Sequence, residues 1–590
     1  MPDIKTILTA AVFIALYIAI GGRVLLKAAR NIKRGDVFDE NFLMSVASLG
    51  SIALGEYVEG LAVLGLYRLG EYLQDRAVDK SRRAISDLMD IRPDFANVER
   101  DGQLVKLDPE ELKPGQLIVI KPGERVPVDA VITEGSCSLD TSALTGESLP
   151  QEVSAGAEIY SGTIDLNGVV TAKVIRPAEE STAARILELV EDAASSRAKS
   201  EKFITRFARW YTPAVCGAAL LLAVIPSLIT GAWAVWIRRA LIFLVVSCPC
   251  ALIISIPLGF FAGIGSASSR GILIKGGNYL EALSKTDTMV FDKTGTLTKG
   301  EFKVTGAFPA PGITKERLIE TAALAECYSD HPISRSLKEA FGKEPDRSRV
   351  ENASEAAGHG VTASVDGKSV ACGNLSMMES LGISAEPLTQ PGTAVYVAED
   401  GRYIGSILIS DEVKDDAASA VSQLKALGVR RTVMLTGDRR EIAEKTAHEL
   451  GIDQCEAQLL PQDKLEKVKE LKKQVPEKKI LAFAGDGIND APVLAGSDLG
   501  IAMGAMGSAA AVEAADVVLM NDKPSDIALA MRISRKTMRI VYEDIVFSIG
   551  VKLLVLLLAA LGHANMWLAI FADVGVCMIA ILNSMRALRI

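Results

Sequence analysis

Eight cysteines in 590 residues are too few for a disulfide framework. Basic charge is not in excess either: 64 Lys and Arg against 73 Asp and Glu leave a net charge of −9, which argues against a dedicated nucleic-acid binder. The chain has no Walker A phosphate loop and no dinucleotide-binding fingerprint. It also lacks a long internal repeat and a low-complexity tract, and a collagen, a coiled coil or a disordered tail is excluded. What it does have is a mean hydropathy of +0.26 alongside 23% charged residues. Those two figures coexist only where apolar residues are segregated, so membrane spans should alternate with ordinary soluble domains.

A membrane helix needs ~20 mainly apolar residues. Apolar cores lie at 3–20, 41–54, 60–70, 211–230, 237–266, 545–561 and 566–582, which predicts about seven spans. The second and third are short and close together, and predict a tight hairpin of two helices that run beyond those limits. The first is not a signal peptide, because a basic stretch rather than a small-residue cleavage site follows Ile20. Gly21-Gly22 is expected to break that helix. Val24, Leu25 and Leu26 with Arg23, Lys27, Arg30 and Lys33 would then form a short basic amphipathic segment on the cytoplasmic membrane surface. Basic clusters at 23–34, 76–83, 197–209 and 532–539 flank spans on one side, which makes that side cytoplasmic and assigns the soluble segments 75–206 and 270–539 to it. Arg238 and Arg239 fall on the opposite side and dissent. The odd span count puts Met1 outside.

The first soluble segment alternates apolar and polar residues between Pro/Gly turns, at 116–121 and 168–175, and reads as a small β-rich domain. The second alternates strand-like runs (288–291, 431–435, 479–484) with helical ones (415–427, 440–450, 465–474). That pattern predicts an α/β sheet with catalytic loops at the carboxyl ends of its strands. Residues 313–411 interrupt the alternation and are long enough to be an inserted domain.

The chemistry follows from what stands at those strand ends. Thr288-Met289-Val290-Phe291 is a short apolar strand that runs straight into Asp292-Lys293-Thr294-Gly295-Thr296. A carboxylate at a strand tip, followed by small and hydroxyl residues, can attack a phosphoryl group and become an aspartyl phosphate. Thr294 and Gly295 would offer hydroxyl and backbone donors to the equatorial oxygens. Thr436-Gly437-Asp438 follows a second apolar strand, and Gly485-Asp486-Gly487-Ile488-Asn489-Asp490 a third. Asp486 and Asp490 would lie near Asp292, where carboxylates can hold Mg²⁺ together with Thr294. Lys464, after the turn at 461–463, could neutralise phosphoryl charge.

These three motifs resemble the signature of P-type ATPases, whose phosphorylation domain has the haloacid-dehalogenase fold, and the resemblance covers nearly the whole chain. It implies ATP as substrate and Mg²⁺ as cofactor. Thr145-Gly146-Glu147-Ser148 matches the family's actuator loop, in which Glu147 would orient the water that hydrolyses the aspartyl phosphate. In the inserted segment Glu326, His331-Pro332, Gly358-His359-Gly360 and Gly373-Asn374 resemble the nucleotide-binding set of the heavy-metal branch. His331 would orient the adenine end, and the glycines would admit the ring closely.

Cys248-Pro249-Cys250 stands in the middle of a span. Pro249 removes a backbone donor and opens the helix, and two thiols flank the opening. Thiolates select soft or borderline metals. Lys552 and Asp573 lie inside the last two apolar runs, where ionisable groups are expensive and usually functional or paired. Two sulfurs plus a hard carboxylate suit Zn²⁺ better than Cu⁺. Lys552 and Asp573-Val574-Gly575 also look like the pattern of the zinc, cadmium and lead exporters. Lys552 would act as a tethered counter-cation that pairs with Asp573 once metal leaves. The same resemblance suggests Glu59 on the exit path and Glu71 near the cytoplasmic entrance. Cys577, on the helix of Asp573, is not expected to be a ligand.

The expected architecture is therefore multidomain: an α-helical transmembrane bundle, a β-rich actuator domain, and an α/β haloacid-dehalogenase-like phosphorylation domain with an inserted α+β nucleotide-binding domain. The boundaries are 1–74 for the first membrane helices, 75–206 for the actuator domain, and 207–269 for the helices with Cys-Pro-Cys. Residues 270–312 and 412–539 make the phosphorylation domain, 313–411 the nucleotide-binding domain, and 540–590 the last two membrane helices. The expected activity is ATP-driven export of Zn²⁺, and also of Cd²⁺ and Pb²⁺, by a monomer in the plasma membrane with its catalytic domains in the cytoplasm. The rival readings are a Cu⁺ exporter and a non-transporting membrane phosphatase or receptor of the haloacid-dehalogenase type. No Cys-x-x-Cys metal-binding domain precedes the first span, and the family's usual eight spans would be one short.

Overall fold

A computed structural model describes residues 4–34, 40–88, 95–100, 103–141, 150–184, 199–247, 250–329, 331–356, 359–388, 392–486, 490–504 and 513–589. The chain forms two compact units, Met1–Lys285 with Leu529–Ile590, and Thr286–Ala528.

Among the helices of the first unit are α1 (Ile4–Lys33), α2 (Glu40–Ala53), α3 (Tyr57–Leu88), α4 (Lys199–Thr230), α5 (Trp233–Val246), α6 (Cys250–Ser268), α7 (Ser525–Leu561), α8 (Met566–Ile570) and α9 (Val576–Ser584). The first four residues of α7 belong to the second unit. Residues from α1, α2, α3, α5, α7 and α8 share one apolar core, among them Tyr17, Met44, Leu64, Val246, Val555 and Ala569. Within the described residues four stretches are long and apolar enough to cross a membrane: Trp210–Thr230, Trp233–Ser268, Ser525–Leu561 and Met566–Arg589. The apolar runs had suggested about seven. Of the others, α2 is the expected short partner of the hairpin with α3, and its 14 residues reach only about 21 Å at 1.5 Å per residue.

Two expectations change here. Gly21-Gly22 does not break the first helix, for α1 runs through both glycines to Lys33. A broken helix would expose unsatisfied peptide groups among apolar neighbours, whereas an intact one satisfies them internally. Gly21 is instead a point of close packing, since a Cβ there would lie 2.3 Å from Leu64 Cδ1 on α3. Gly21→Val is therefore expected to destabilise the bundle by about 1–3 kcal/mol. Gly22→Ala, whose Cβ would meet nothing nearer than Ile18 at 3.8 Å, should change little. Thermal unfolding of the detergent-solubilised pair checks this. Secondly, the helices outrun the domain limits drawn from composition. α3 continues past position 75 to Leu88, and α4 starts at Lys199 rather than near 207. Helical periodicity carries on through the charged residues that had marked the change of solvent.

Between α3 and α4 lies the β-rich domain: β1 (Ala96–Arg100), β2 (Gln103–Leu107), β3 (Leu117–Ile120), β4 (Ala130–Glu134), β5 (Ser136–Asp140), β6 (Gln151–Ser154), β7 (Glu158–Ile159), β8 (Ile164–Asp165) and β9 (Val170–Val174). They form an antiparallel sheet β2-β1-β3-β9-β4-β7 and a smaller one, β6-β5-β8. Ile118, Ile120, Val128, Ile132 and Val170 fill the core. The tetrapeptide 145–148, with Glu147, lies outside the described residues.

The second unit carries β10 (Thr286–Asp292), β11 (Thr298–Pro309), β12 (Val350–Ala356), β13 (Gly360–Val365), β14 (Lys368–Gly373), β15 (Thr393–Glu399), β16 (Arg402–Val413), β17 (Arg431–Leu435), β18 (Gln454–Glu456), β19 (Ile480–Gly485), β20 (Leu499–Ala502) and β21 (Val517–Leu519). Six run parallel in the order β21-β20-β19-β10-β17-β18. Helices Ala417–Ala426, Arg440–Leu450 and Pro461–Lys473 separate successive strands, as the alternation predicted. The inserted domain is an antiparallel sheet β11-β16-β15-β14-β13-β12. Its edge strand β11 starts at Thr298, so the insertion's sheet begins 15 residues before position 313 and ends at Val413. The pairing of β11 with β16, remote in sequence, defines that edge.

Candidate phosphorylation, nucleotide and metal sites

Parallel register sets the phosphorylation site. All seven residues of β10 are buried, and the strand ends at Asp292. On one side Asp292 pairs with Leu435, so Thr436-Gly437-Asp438 leaves β17 beside it. On the other, Phe291 pairs with Ala484, so Gly485-Asp486 leaves β19 at the same height. Oxygens of Asp292, Asp486 and Asp490 lie within 4.8 Å of one another. Lys464 Nζ donates to Asp292 Oδ1 at 2.7 Å and to Asp490 Oδ1 at 3.1 Å. Lys464 comes from the first turn of the helix Pro461–Lys473, which starts at the residues expected to form a turn before it. Lys293 pairs with Asp438, and the backbone N–H of Asp438 donates to Thr436 Oγ1 at 3.1 Å.

Burial and the adjacent Asp490 carboxylate push the Asp292 carboxyl up to about 7, against the pull of Lys464. Lys464 is shared between Asp292 and Asp490, and Asp490 Oδ2 is buried without a hydrogen-bond partner. Hard oxygen donors with an orphaned lone pair fit a divalent cation such as Mg²⁺. Gly295 holds φ at +71°, and a Cβ there would lie 2.6 Å from Asp486 Oδ2. Glycine is thus required twice over, by the turn and by the carboxylate beside it. Thr294 is exposed on this loop, and residues 487–489 lie outside the described ones.

One participant escaped the sequence. Lys414, just past β16, is buried, and its Nζ donates to Gly295 O at 3.0 Å and to Asp522 Oδ1 at 2.6 Å. Asp411, on the same strand, accepts from Thr298 Oγ1 at 2.5 Å and from Gly300 N at 3.0 Å. The returning strand therefore clasps the loop that follows Asp292. Only long-range folding joins them, and no local pattern marks a lysine that will be buried. Lys414→Met is expected to slow phosphorylation about tenfold, the scale of one charge-assisted hydrogen bond lost, with little change in the KM for ATP. Rapid-quench phosphorylation measures both.

In the inserted domain a cavity of about 290 Å³ is lined by Glu326, His331, Ser334, Gly360, Gly373 and Asn374 among others. The turn between helices Lys315–Ala325 and Pro332–Phe341 brings Glu326 and His331 to it. Glu326 is buried and accepts from Ser334 Oγ at 2.7 Å; burial pushes its carboxyl up. His331 is exposed and caps its helix, Nδ1 accepting from Ile333 N at 3.3 Å. Gly360 and Gly373 face each other across β13 and β14. A Cβ on Gly360 would lie 2.2 Å from Cys372 O, and one on Gly373 2.3 Å from His359 O and 2.4 Å from Met377 Sδ. The closest demands on these glycines come from the protein's own strands and Met377. Asn374 Oδ1 accepts from Met377 N at 2.9 Å. Gly358 lies outside the described residues.

In the membrane unit Lys552 Nζ donates to Asp573 Oδ1 at 3.0 Å and to Val246 O, the last residue of α5, at 3.3 Å. The two residues are 5% and 3% exposed. Asp573 sits in a widened turn, Phe571–Gly575, where Val576 N–H reaches back to Phe571 O. Such π-type turns within helices occur frequently at functional positions. Cys248 and Pro249 lie outside the described residues, and Cys250 is the first residue of α6. Cys577 is buried among Ala251, Leu258, Val576 and Ile581. Glu59 pairs with Arg238 at 2.5 Å, and Glu71 with Lys27 at 2.6 Å and Arg68 at 3.0 Å.

A strand-end aspartate between two catalytic loops, in a chain with membrane helices and a separate β-rich domain, defines a phosphoryl-transfer enzyme of the haloacid-dehalogenase class embedded in a membrane. Residues 286–498 match the haloacid dehalogenase-like hydrolases, and residues 90–191 match the P-type ATPase actuator domain. A cadmium, zinc and cobalt-transporting ATPase of Bacillus subtilis (strain 168) is 50% identical over 580 residues, 98% of this chain and 83% of that protein. A zinc-transporting ATPase of Synechocystis sp. is 48% identical over 578 residues, 98% and 80% of the two chains. The crystal structure of a zinc-transporting PIB-type ATPase in the E2·Pi state matches 98% of this chain and 95% of its own, with 35% identity and a TM-score of 0.63. The chain belongs to the P-type ATPase family.

Proposed function

We propose that this chain uses ATP to export Zn²⁺, and by the same ligand chemistry Cd²⁺ and Pb²⁺, through an aspartyl phosphate on Asp292. The observation that carries the cargo is the buried pair of Lys552 and Asp573 against the carbonyl of Val246, two residues before Cys248. A carboxylate together with the two thiols that the sequence offers at Cys248 and Cys250 suits a borderline divalent ion. The tethered ammonium occupies the carboxylate when metal is absent.

The Asp292 carboxylate attacks the γ-phosphorus of ATP, forming the acyl phosphate as ADP leaves. Lys464 balances charge on the nucleophile, and Gly295 and Thr294 offer donors to the phosphoryl oxygens. Asp292, Asp486 and Asp490, with Thr294, are the residues that would hold Mg²⁺, which neutralises phosphoryl charge when bound. Glu326, His331 and Asn374, with Gly358, Gly360 and Gly373, hold the nucleotide. Glu147 directs water onto the acyl phosphate. Coupling is a population shift between states that differ in affinity for metal at Cys248, Cys250 and Asp573. Glu71 and Glu59 flank the route.

ATP hydrolysis by the purified protein, titrated with each ion, tests this. Stimulation by Zn²⁺, Cd²⁺ and Pb²⁺ is expected. Stimulation by Cu⁺ with thiol alone would transfer the assignment to copper, and hydrolysis indifferent to every ion would favour a membrane phosphatase.

A further inference from the structure

Two arginines on the wrong side of the membrane for the positive-inside rule need a reason. Arg239 is held by packing: its guanidinium lies over the Trp236 ring at 4.4 Å, and a Cβ on Gly562 would lie 2.3 Å from its NH2. Arg238 points elsewhere, its NH2 2.5 Å from Glu59 Oε1 and its NH1 3.8 Å from Glu56 Oε1. An exposed ion pair contributes only about 0–1 kcal/mol to stability. Arg238 is nearly half exposed, so stability is a weak reason for it to be there.

The geometry repeats the arrangement deeper in the membrane. There a carboxylate, Asp573, is held by a cation from another helix, Lys552. At the outer end of α3, in its first turn, a second carboxylate is held by a cation from α5. α5 connects the two pairs, because Val246 at its far end accepts from Lys552, about 12 Å along the helix from Arg238. Glu59 is a hard oxygen ligand and would hold a borderline ion more loosely than two sulfurs do. A guanidinium on Oε1 offsets the carboxylate's charge and so weakens its attraction for a metal ion.

We propose that Arg238 is a second tethered counter-cation, which takes Glu59 as metal leaves and so keeps exported metal from rebinding from outside. The proposal rests on the export reading above and concerns its last step. Arg238 would act by competing for Glu59, not by touching the reacting phosphate.

Inside-out vesicles test it, because their lumen is the release side and can be loaded with Zn²⁺ while ATP is supplied outside. In the unsubstituted protein, Zn²⁺ on the ATP side should stimulate hydrolysis, and lumenal Zn²⁺ should inhibit weakly. In Arg238→Gln the lumenal Zn²⁺ giving half-inhibition should fall about tenfold, the scale of one charge-assisted pair lost. Arg238→Lys should restore the unsubstituted curve. Adding Glu59→Gln to Arg238→Gln should remove the new sensitivity. Identical lumenal inhibition curves for Arg238→Gln and the unsubstituted protein would overturn the proposal, as would sensitivity that survives in the double variant or an Arg238→Lys that behaves like Arg238→Gln. All of these outcomes are read in a setting where the unsubstituted protein shows ATP-side stimulation, and are thereby distinct from failure of the export reading, in which that stimulation is absent and the proposal falls with it.

Discussion

Asp292→Asn will abolish the acid-stable label that the chain takes from ATP, and turnover will fall on the order of 10⁶-fold, the scale for removing a covalent nucleophile. The amide keeps the size and most hydrogen-bonding positions of the carboxylate, so the fold should survive. Lys464 would retain one carboxylate partner, Asp490. Removing negative charge from a site with three carboxylates and one close ammonium relieves repulsion, so the variant should bind Mg-nucleotide at least as well as the unsubstituted protein. Acid-quenched labelling and nucleotide titration separate the two effects. Label that persists in Asp292→Asn would rule out the aspartyl phosphate at this position.

Asp573→Ala will abolish metal stimulation while phosphorylation from inorganic phosphate, which needs no cargo, survives. The substitution strands the Lys552 ammonium inside the bundle, where removing one member of a buried pair costs about 3–5 kcal/mol. Asp573→Asn is the milder companion: it keeps a hydrogen-bond acceptor for Lys552 and removes the charged ligand. Metal stimulation should be lost in both. Loss of phosphorylation from inorganic phosphate in the alanine variant alone would mark instability, whereas its loss in both would show that Asp573 supports the fold rather than the ion.

Much of this could be read from the chain because the informative residues are local. An apolar strand followed at once by Asp292-Lys293-Thr294-Gly295-Thr296 is visible in any window, and so are the two loops that flank it. Parallel register then brings Asp292, Asp438, Asp486 and Asp490 to one end of the sheet. What stayed hidden depends on contacts between distant residues. Gly21-Gly22 looks like a break until Leu64 on α3 is seen against it. The inserted domain begins earlier than its composition suggests, because β11 finds its partner about a hundred residues later. Lys414 is an ordinary surface lysine in sequence and a buried clasp in structure. The widened turn at Asp573 has no spelling of its own, since the residues around it would serve equally in a regular helix.

The Lys552–Asp573 pair also has an electrical consequence. With the ammonium on the carboxylate, that pair carries no net charge. A divalent cation exported with no returning counter-ion carries two charges outward. Each costs about 2.3 kcal/mol per 100 mV, so a cell interior held 100 mV negative adds about 4.6 kcal/mol to the work per ion. Membrane voltage thus enters the energetics of the pump as a load, and collapsing it should ease export even when the metal gradient is unchanged.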